Sequence, residues 1–158
     1  VQSDIETITP RRYCENELVN LLCSSFAEKA QHAGARLDVD ARLPQALDIS
    51  DAELCAVLSN ALENALHAVA ALPEKERTVS LYCAVRLGKL LIEVKNPYAG
   101  ELTLSPDGRP VTARKGHGYG CQSIQTIAAR SGGLCEFKAG CGTFCLQIVL
   151  PLKAAAPV

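Results

Sequence analysis

No methionine occurs anywhere in the chain, which begins at Val1; the expectation is a segment of a longer protein. An excess of charge of either sign is missing too, with 16 Lys and Arg against 17 Asp and Glu and a formal net charge of -1. Proteins that grip a phosphate backbone carry a basic excess or stripe, so nucleic acid is not an expected partner. No apolar run approaches the roughly 20 residues that cross a bilayer, and no charged-then-apolar leader opens the chain. The residues therefore read as a soluble unit. Internal repeats and low-complexity tracts are absent, and so is any C-x-x-C pair. The eight cysteines, Cys14, Cys23, Cys55, Cys83, Cys121, Cys135, Cys141 and Cys145, are scattered, and most replace a small apolar residue in a helix or strand pattern. They read as reduced thiols in a cytoplasmic setting rather than as a disulfide framework. Cys141 and Cys145 are the only close pair with a plausible spacing, but Thr143 to Val149 reads as a strand and not as a zinc-binding loop.

With 158 residues, 48% of them hydrophobic, the chain can bury one sizeable core, so a single domain is expected. Cys14, Leu18, Leu21, Leu22, Phe26 and Ala30 form a helical stripe, which predicts a helix over 12–33 stopped by Gly34 at the C′ position. Leu37, Val39, Ala41 and Leu43 alternate with charged residues, the period of a strand with one buried face. Ser50-Asp51-Ala52-Glu53 is a capping box for a second helix that Pro73 terminates. Runs at 78–85 and 90–95 flank Arg86-Leu87-Gly88-Lys89, and runs at 134–138 and 143–150 flank Ala139-Gly140-Cys141-Gly142, which predicts two hairpins and an antiparallel or mixed sheet. Residues 97–115 are rich in Pro, Gly and charge without a period, and long connections of that kind are often lids. Residues 1–11 read as the end of an upstream linker or dimerisation helix, 12–152 as the domain and 153–158 as a frayed tail.

Two blocks carry chemistry. In Ser59-Asn60-Ala61-Leu62-Glu63-Asn64-Ala65, the spacing of Asn60, Asn64 and His67 at i, i+4 and i+7 stacks three polar side chains on one helix face. Leu54, Val57, Leu58, Ala61, Leu62 and Ala65 form the opposite, core-facing stripe. In Lys115-Gly116-His117-Gly118-Tyr119-Gly120, three alternate glycines precede a helical pattern closed by Gly132-Gly133. A flexible loop running into a helix start exposes backbone N–H groups and the positive end of the helix dipole, which suits a phosphate chain.

The order of Asn-rich helix, strand hairpin, loop, G-x-G-x-G, helix and final hairpin with Gly142-Thr143 resembles the GHKL, or Bergerat-fold, ATPase superfamily. That superfamily includes histidine kinases, type II topoisomerases, mismatch-repair ATPases and a heat-shock chaperone. Tyr13-Cys14-Glu15-Asn16, Asn60-Ala-Leu-Glu-Asn64-Ala65, Asn96 and Lys115-Gly-His-Gly-Tyr-Gly120 followed by Ser123-Ile124 look most like the catalytic domains of quorum-sensing-type sensor histidine kinases. The resemblance implies an α+β fold, a two-layer α/β sandwich in which about three helices cover one face of a mixed, mostly antiparallel sheet. It implies ATP and Mg2+ as ligands, and Asn64 as the metal-holding asparagine whose amide oxygen is a hard neutral ligand. Asn60 stands where hydrolysing members have a water-activating glutamate; an amide cannot take that proton, which favours transfer to a protein acceptor. His67, Lys115, Gly116, His117, Gly118, Tyr119, Gly120 and Thr143 correspond to nucleotide-contacting positions. Asn96, in Asn96-Pro97-Tyr98-Ala99-Gly100, replaces the aspartate that accepts from the adenine amino group; its carbonyl oxygen still accepts, without charge assistance.

Plainer readings compete. Asn60 and Asn64 would suit a solvated helix face, although asparagine is a poor mid-helix residue. The three glycines would suit a flexible loop alone, and Gly142 a hairpin turn alone. His67 and His117 would suit the surface, and Arg114 and Lys115 would suit a solvated loop. Glu63 lies near the polar face, where a base could act, but nothing in the sequence orients it. The histidine-kinase reading implies a phosphoacceptor on an upstream dimerisation helix, a homodimer in the full-length protein, a response regulator as the eventual phosphate acceptor, and a cytoplasmic domain of a membrane-anchored sensor. His32 has no adjacent carboxylate in this reading and is not that acceptor. The alternatives are a serine kinase of the anti-sigma-factor type and a degenerate nucleotide-binding module that only docks to partners.

Overall fold

The first helix starts where a side chain can satisfy its orphan amides. In a computed structural model, which describes residues 12–100 and 119–153, Asn16 caps α1 (Glu17–His32), its Oδ1 accepting from the Val19 N–H at 3.1 Å. The helical stripe predicts a start at residue 12, five residues too early. Asn20 explains the difference: its Oδ1 accepts from the N–H groups of Tyr13 at 2.8 Å and Cys14 at 3.0 Å, and its Nδ2 donates to the Cys14 carbonyl at 2.8 Å. Local side chain to backbone bonds of this kind outcompete the helix, so Cys14 reaches the core from a turn. The other end matches expectation. Gly34 has φ +69°, and Ala35 N–H to Ala30 and Gly34 N–H to Gln31 bonds of 2.8 and 3.1 Å close the helix with a Schellman motif.

The remaining elements are β1 (Arg36–Arg42), α2 (Asp51–Val69), β2 (Thr78–Arg86), β3 (Lys89–Pro97), α3 (Tyr119–Arg130), β4 (Leu134–Gly140) and β5 (Thr143–Pro151). Ser50 caps α2 as expected, its Oγ accepting from the Glu53 N–H at 3.1 Å. Both hairpins turn on two residues with positive φ, Leu87-Gly88 and Cys141-Gly142. That is the turn whose twist matches paired strands, and it accepts a strained non-glycine residue at its first position. Gly133, at the entrance to β4, is fixed for another reason: a Cβ there would collide with the Val149 carbonyl oxygen.

The strands form one sheet in the order β1-β2-β3-β5-β4, with β1 parallel to β2 and the other pairs antiparallel. The parallel pair follows from the crossover through α2, which must lie on the sheet to return the chain. All three helices pack on the same sheet: α1 contacts β1, α2 contacts β2 and β3, and α3 contacts β4 and β5. Leu58 and Leu62 of α2, Leu81 of β2, Ile92 of β3, Ile148 of β5 and Ile124 of α3 are sealed between the two layers. The strand residues that alternate with this core are paired along their strands, as in Arg36–Asp38, Arg42–Asp40, Lys95–Glu93 and Lys138–Glu136. The result is the two-layer, mostly antiparallel α/β sandwich with three helices. The eight cysteines, all among the described residues, form no disulfide. No helix among the described residues is long and apolar enough to cross a membrane.

Candidate functional site

Asn96 occupies an inward position of β3, two residues after the core residue Val94, and is 3% exposed. A buried amide needs partners; its Nδ2 donates to the Pro97 carbonyl at 2.9 Å, which leaves acceptance to Oδ1. The sheet register sets Phe144 opposite Asn96 and Thr143 opposite Pro97. The Tyr98 N–H donates to the Gly142 carbonyl at 3.0 Å, so the Cys141-Gly142 turn is tied to the end of β3. A cavity of about 550 Å³ at this end of the sheet is lined by Leu72, Glu76, Thr78, Pro97, Tyr98, Ala99 and Gly142.

Asn60 and Asn64 lie one turn apart on α2, each half-buried, with Leu58, Ala61, Leu62 and Ala65 of the same helix in the core. Asn64 reaches across to α3: its Nδ2 donates to Cys121 Sγ at 3.1 Å, and Cys121 belongs to the first turn of that helix. One member of the polar stripe thus meets the start of the helix that follows the glycines. His67 is half-buried in the last turn of α2. Tyr119 and Gly120 open α3. Arg114, Lys115, Gly116, His117 and Gly118, with residues 101–115 of the loop read as an expected lid, lie outside the described residues.

The structure gives one candidate base an ion-pair partner on the protein surface. Lys29 Nζ holds both carboxylate oxygens of Glu63, at 2.6 and 2.8 Å, and the same ammonium sits 5.5 Å from the centre of the Phe26 ring. Glu63 is committed to α1 rather than to the face of α2 that bears Asn64. His32 also differs from expectation: Glu28 Oε1, one turn earlier on α1, lies 3.8 Å from its Nε2, the i,i+4 spacing of a helix surface. A carboxylate is therefore adjacent, on an exposed part of the helix.

Among the described residues no group of three or more His, Cys, Asp or Glu side chains could hold a metal ion. The donors present suit a different arrangement. Magnesium keeps its waters and binds substrate phosphates, so a protein need supply only one or two hard oxygens. The Asn64 carbonyl oxygen fits that requirement, because the amide nitrogen is turned to Cys121. Cys121 had no signal as a site residue: spacing alone makes it one more small apolar residue, and its partner is 57 positions away.

The chain belongs to the GHKL domain family, whose model matches residues 49–151. Its fold is that of histidine kinase catalytic domains. The Acinetobacter baumannii histidine kinase AdeS superposes with a TM-score of 0.66 at 13% identity, over 87% of this chain and 64% of that one. The catalytic domain of histidine kinase ThkA, in a nucleotide-free form, gives 0.66 at 15% identity over 85% of this chain and 91% of that one. Full-length ShkA in complex with AMPPNP gives 0.61 at 20% identity over 96% of this chain, which spans 33% of ShkA. No curated protein sequence matches the chain.

Proposed function

We propose that the chain is the ATP-binding catalytic domain of a sensor histidine kinase of the quorum-sensing type. In this reading residues 12–152 form the domain, 1–11 end an upstream linker or dimerisation helix, and 153–158 are a tail. The γ-phosphoryl group of ATP passes to a histidine on that dimerisation helix, in a homodimer, and from there to a response regulator. The chain would be the cytoplasmic part of a membrane-anchored sensor. Family membership and the AMPPNP bound to ShkA, a protein of the same fold, support ATP as the ligand.

The transfer asks little covalent chemistry of the protein. A nitrogen lone pair of the acceptor imidazole forms a bond to the γ-phosphorus as the bond to the bridging oxygen of ADP breaks, so positioning and charge neutralisation dominate. Magnesium, when bound, supplies that neutralisation, and Asn64 would hold it through Oδ1. The Asn60 amide cannot take a proton from water, so hydrolysis is slow and a protein nucleophile is favoured. Lys115, Gly116, His117, Gly118, Tyr119 and Gly120 would wrap the phosphates, with His67 and Thr143 at the edge of the site.

The observation that carries the reading is Asn96. With its Nδ2 bonded to the Pro97 carbonyl at 2.9 Å, this buried amide keeps its Oδ1 as an acceptor for an incoming amino group. Adenine offers an amino group at the corresponding position and guanine offers a carbonyl. The parent chain should therefore bind ATP in preference to GTP, and Asn96→Ala should lose about tenfold in ATP affinity by titration calorimetry. Equal binding of the two nucleotides by the parent would overturn the assignment.

A further inference from the structure

We infer that Cys121 is a positioning residue, which fixes the amide of Asn64 so that its oxygen, not its nitrogen, is presented to the magnesium ion of a bound nucleotide. The inference rests on the ATP reading and adds a residue to it. The two ends of an asparagine amide are nearly the same size, and only the oxygen can ligate a hard cation. A ligand of this kind needs something on its other end to decide which way it faces, as hydrogen-bonded partners do for metal ligands generally. Cys121 Sγ is that partner: it accepts from Asn64 Nδ2 at 3.1 Å, is itself 5% exposed, and is anchored in the first turn of α3. Of the residues beside it on α2, Ala61 and Ala65 carry no polar atom, and Glu63 pairs with Lys29. Sulfur is a weak acceptor, but in a buried setting it is enough to separate two orientations that would otherwise be close in energy. The contact also makes the ligand's orientation depend on how α3 begins, since the sulfur moves with that turn.

The test compares affinity for ATP in excess Mg2+ with affinity for ATP in a chelator, for the parent, Cys121→Ala, Cys121→Ser, Asn64→Ala and the Asn64→Ala/Cys121→Ala pair. Cys121→Ala should reduce the magnesium-dependent gain in affinity about fivefold, with a far smaller change in the metal-free measurement. Cys121→Ser keeps a small side chain with an acceptor and should recover most of the gain. The double variant should lose no more than Asn64→Ala alone, because the cysteine acts only through the amide. A full magnesium-dependent gain in Cys121→Ala, alongside its loss in Asn64→Ala, would overturn the role of Cys121 while leaving the ATP site intact. Equal losses in Cys121→Ala and Cys121→Ser, or additive losses in the double variant, would also overturn it. An undiminished gain in Asn64→Ala would remove the metal ligand itself, and the inference would fall with it.

Discussion

Asn64→Ala is expected to weaken Mg-ATP binding on the order of 10- to 100-fold while changing metal-free ATP binding little. The fold should survive, because alanine is the best helix former and asparagine a poor one. The interaction removed is one hydrogen bond to Cys121 at the α2–α3 contact. The selective loss follows from the chemistry of the side chain: a neutral amide oxygen interacts weakly with free phosphate oxygens, which repel its dipole, but well with the cation that the phosphates carry. Titration calorimetry with and without Mg2+ checks this. Parental Mg-ATP affinity in the variant would exclude Asn64 as a ligand.

The second large effect is on stability at high pH. Cys23 of α1 and Cys83 of β2 are 0% and 1% exposed, and burial, helped by neighbouring cysteines, pushes both thiols from an ordinary value of 9.0 up to about 12. In the unfolded chain both ionise near 9.0, whereas in the folded chain both stay protonated until about 12. The unfolded state therefore holds fewer protons across that window, and folding stability falls as pH rises. Below the unfolded value the stabilisation is complete; above it, two thiols together remove roughly 2.7 kcal/mol per pH unit. Denaturant titrations between these limits should show a fall at least that steep in the parent, and a shallower one in a Cys23→Ala/Cys83→Ala variant, in which Cys135, also pushed up to about 12 by burial, still contributes. Identical slopes in the two proteins would contradict the assignment.

Much of this architecture is legible in local sequence, because local rules determine it. The capping Ser50 and the stop at Gly34 depend on residues within a few positions and form as their patterns predict, and both hairpins form where expected, on tighter turns, Leu87-Gly88 and Cys141-Gly142, than the four-residue connections read from the sequence. The early start assigned to α1 fails for an equally local reason that hydrophobic periodicity does not register: Asn20 competes for the backbone of Tyr13 and Cys14. The parallel pairing of β1 with β2 joins strands separated by a whole helix, and alternation of apolar residues is silent on strand direction. At the site, the positions of Asn60, Asn64 and Asn96 stand out because asparagine is costly inside a helix or buried in a strand. Their partners do not stand out. Cys121 Sγ, 57 positions from Asn64, becomes visible only once α2 and α3 are packed together, as does the Lys29–Glu63 pair that joins α1 to α2.

The most direct test of the central claim follows the phosphoryl group. The chain alone, given γ-labelled ATP and Mg2+, should bind nucleotide without labelling itself and should hydrolyse it slowly, because Asn60 is no base and no acceptor imidazole is presented from a second helix. Joined to its native upstream segment, it should acquire acid-labile label on a histidine of that segment. Acid-stable label on a serine of an added partner, with the upstream segment unlabelled, would contradict a histidine kinase and indicate a serine kinase of the anti-sigma-factor type.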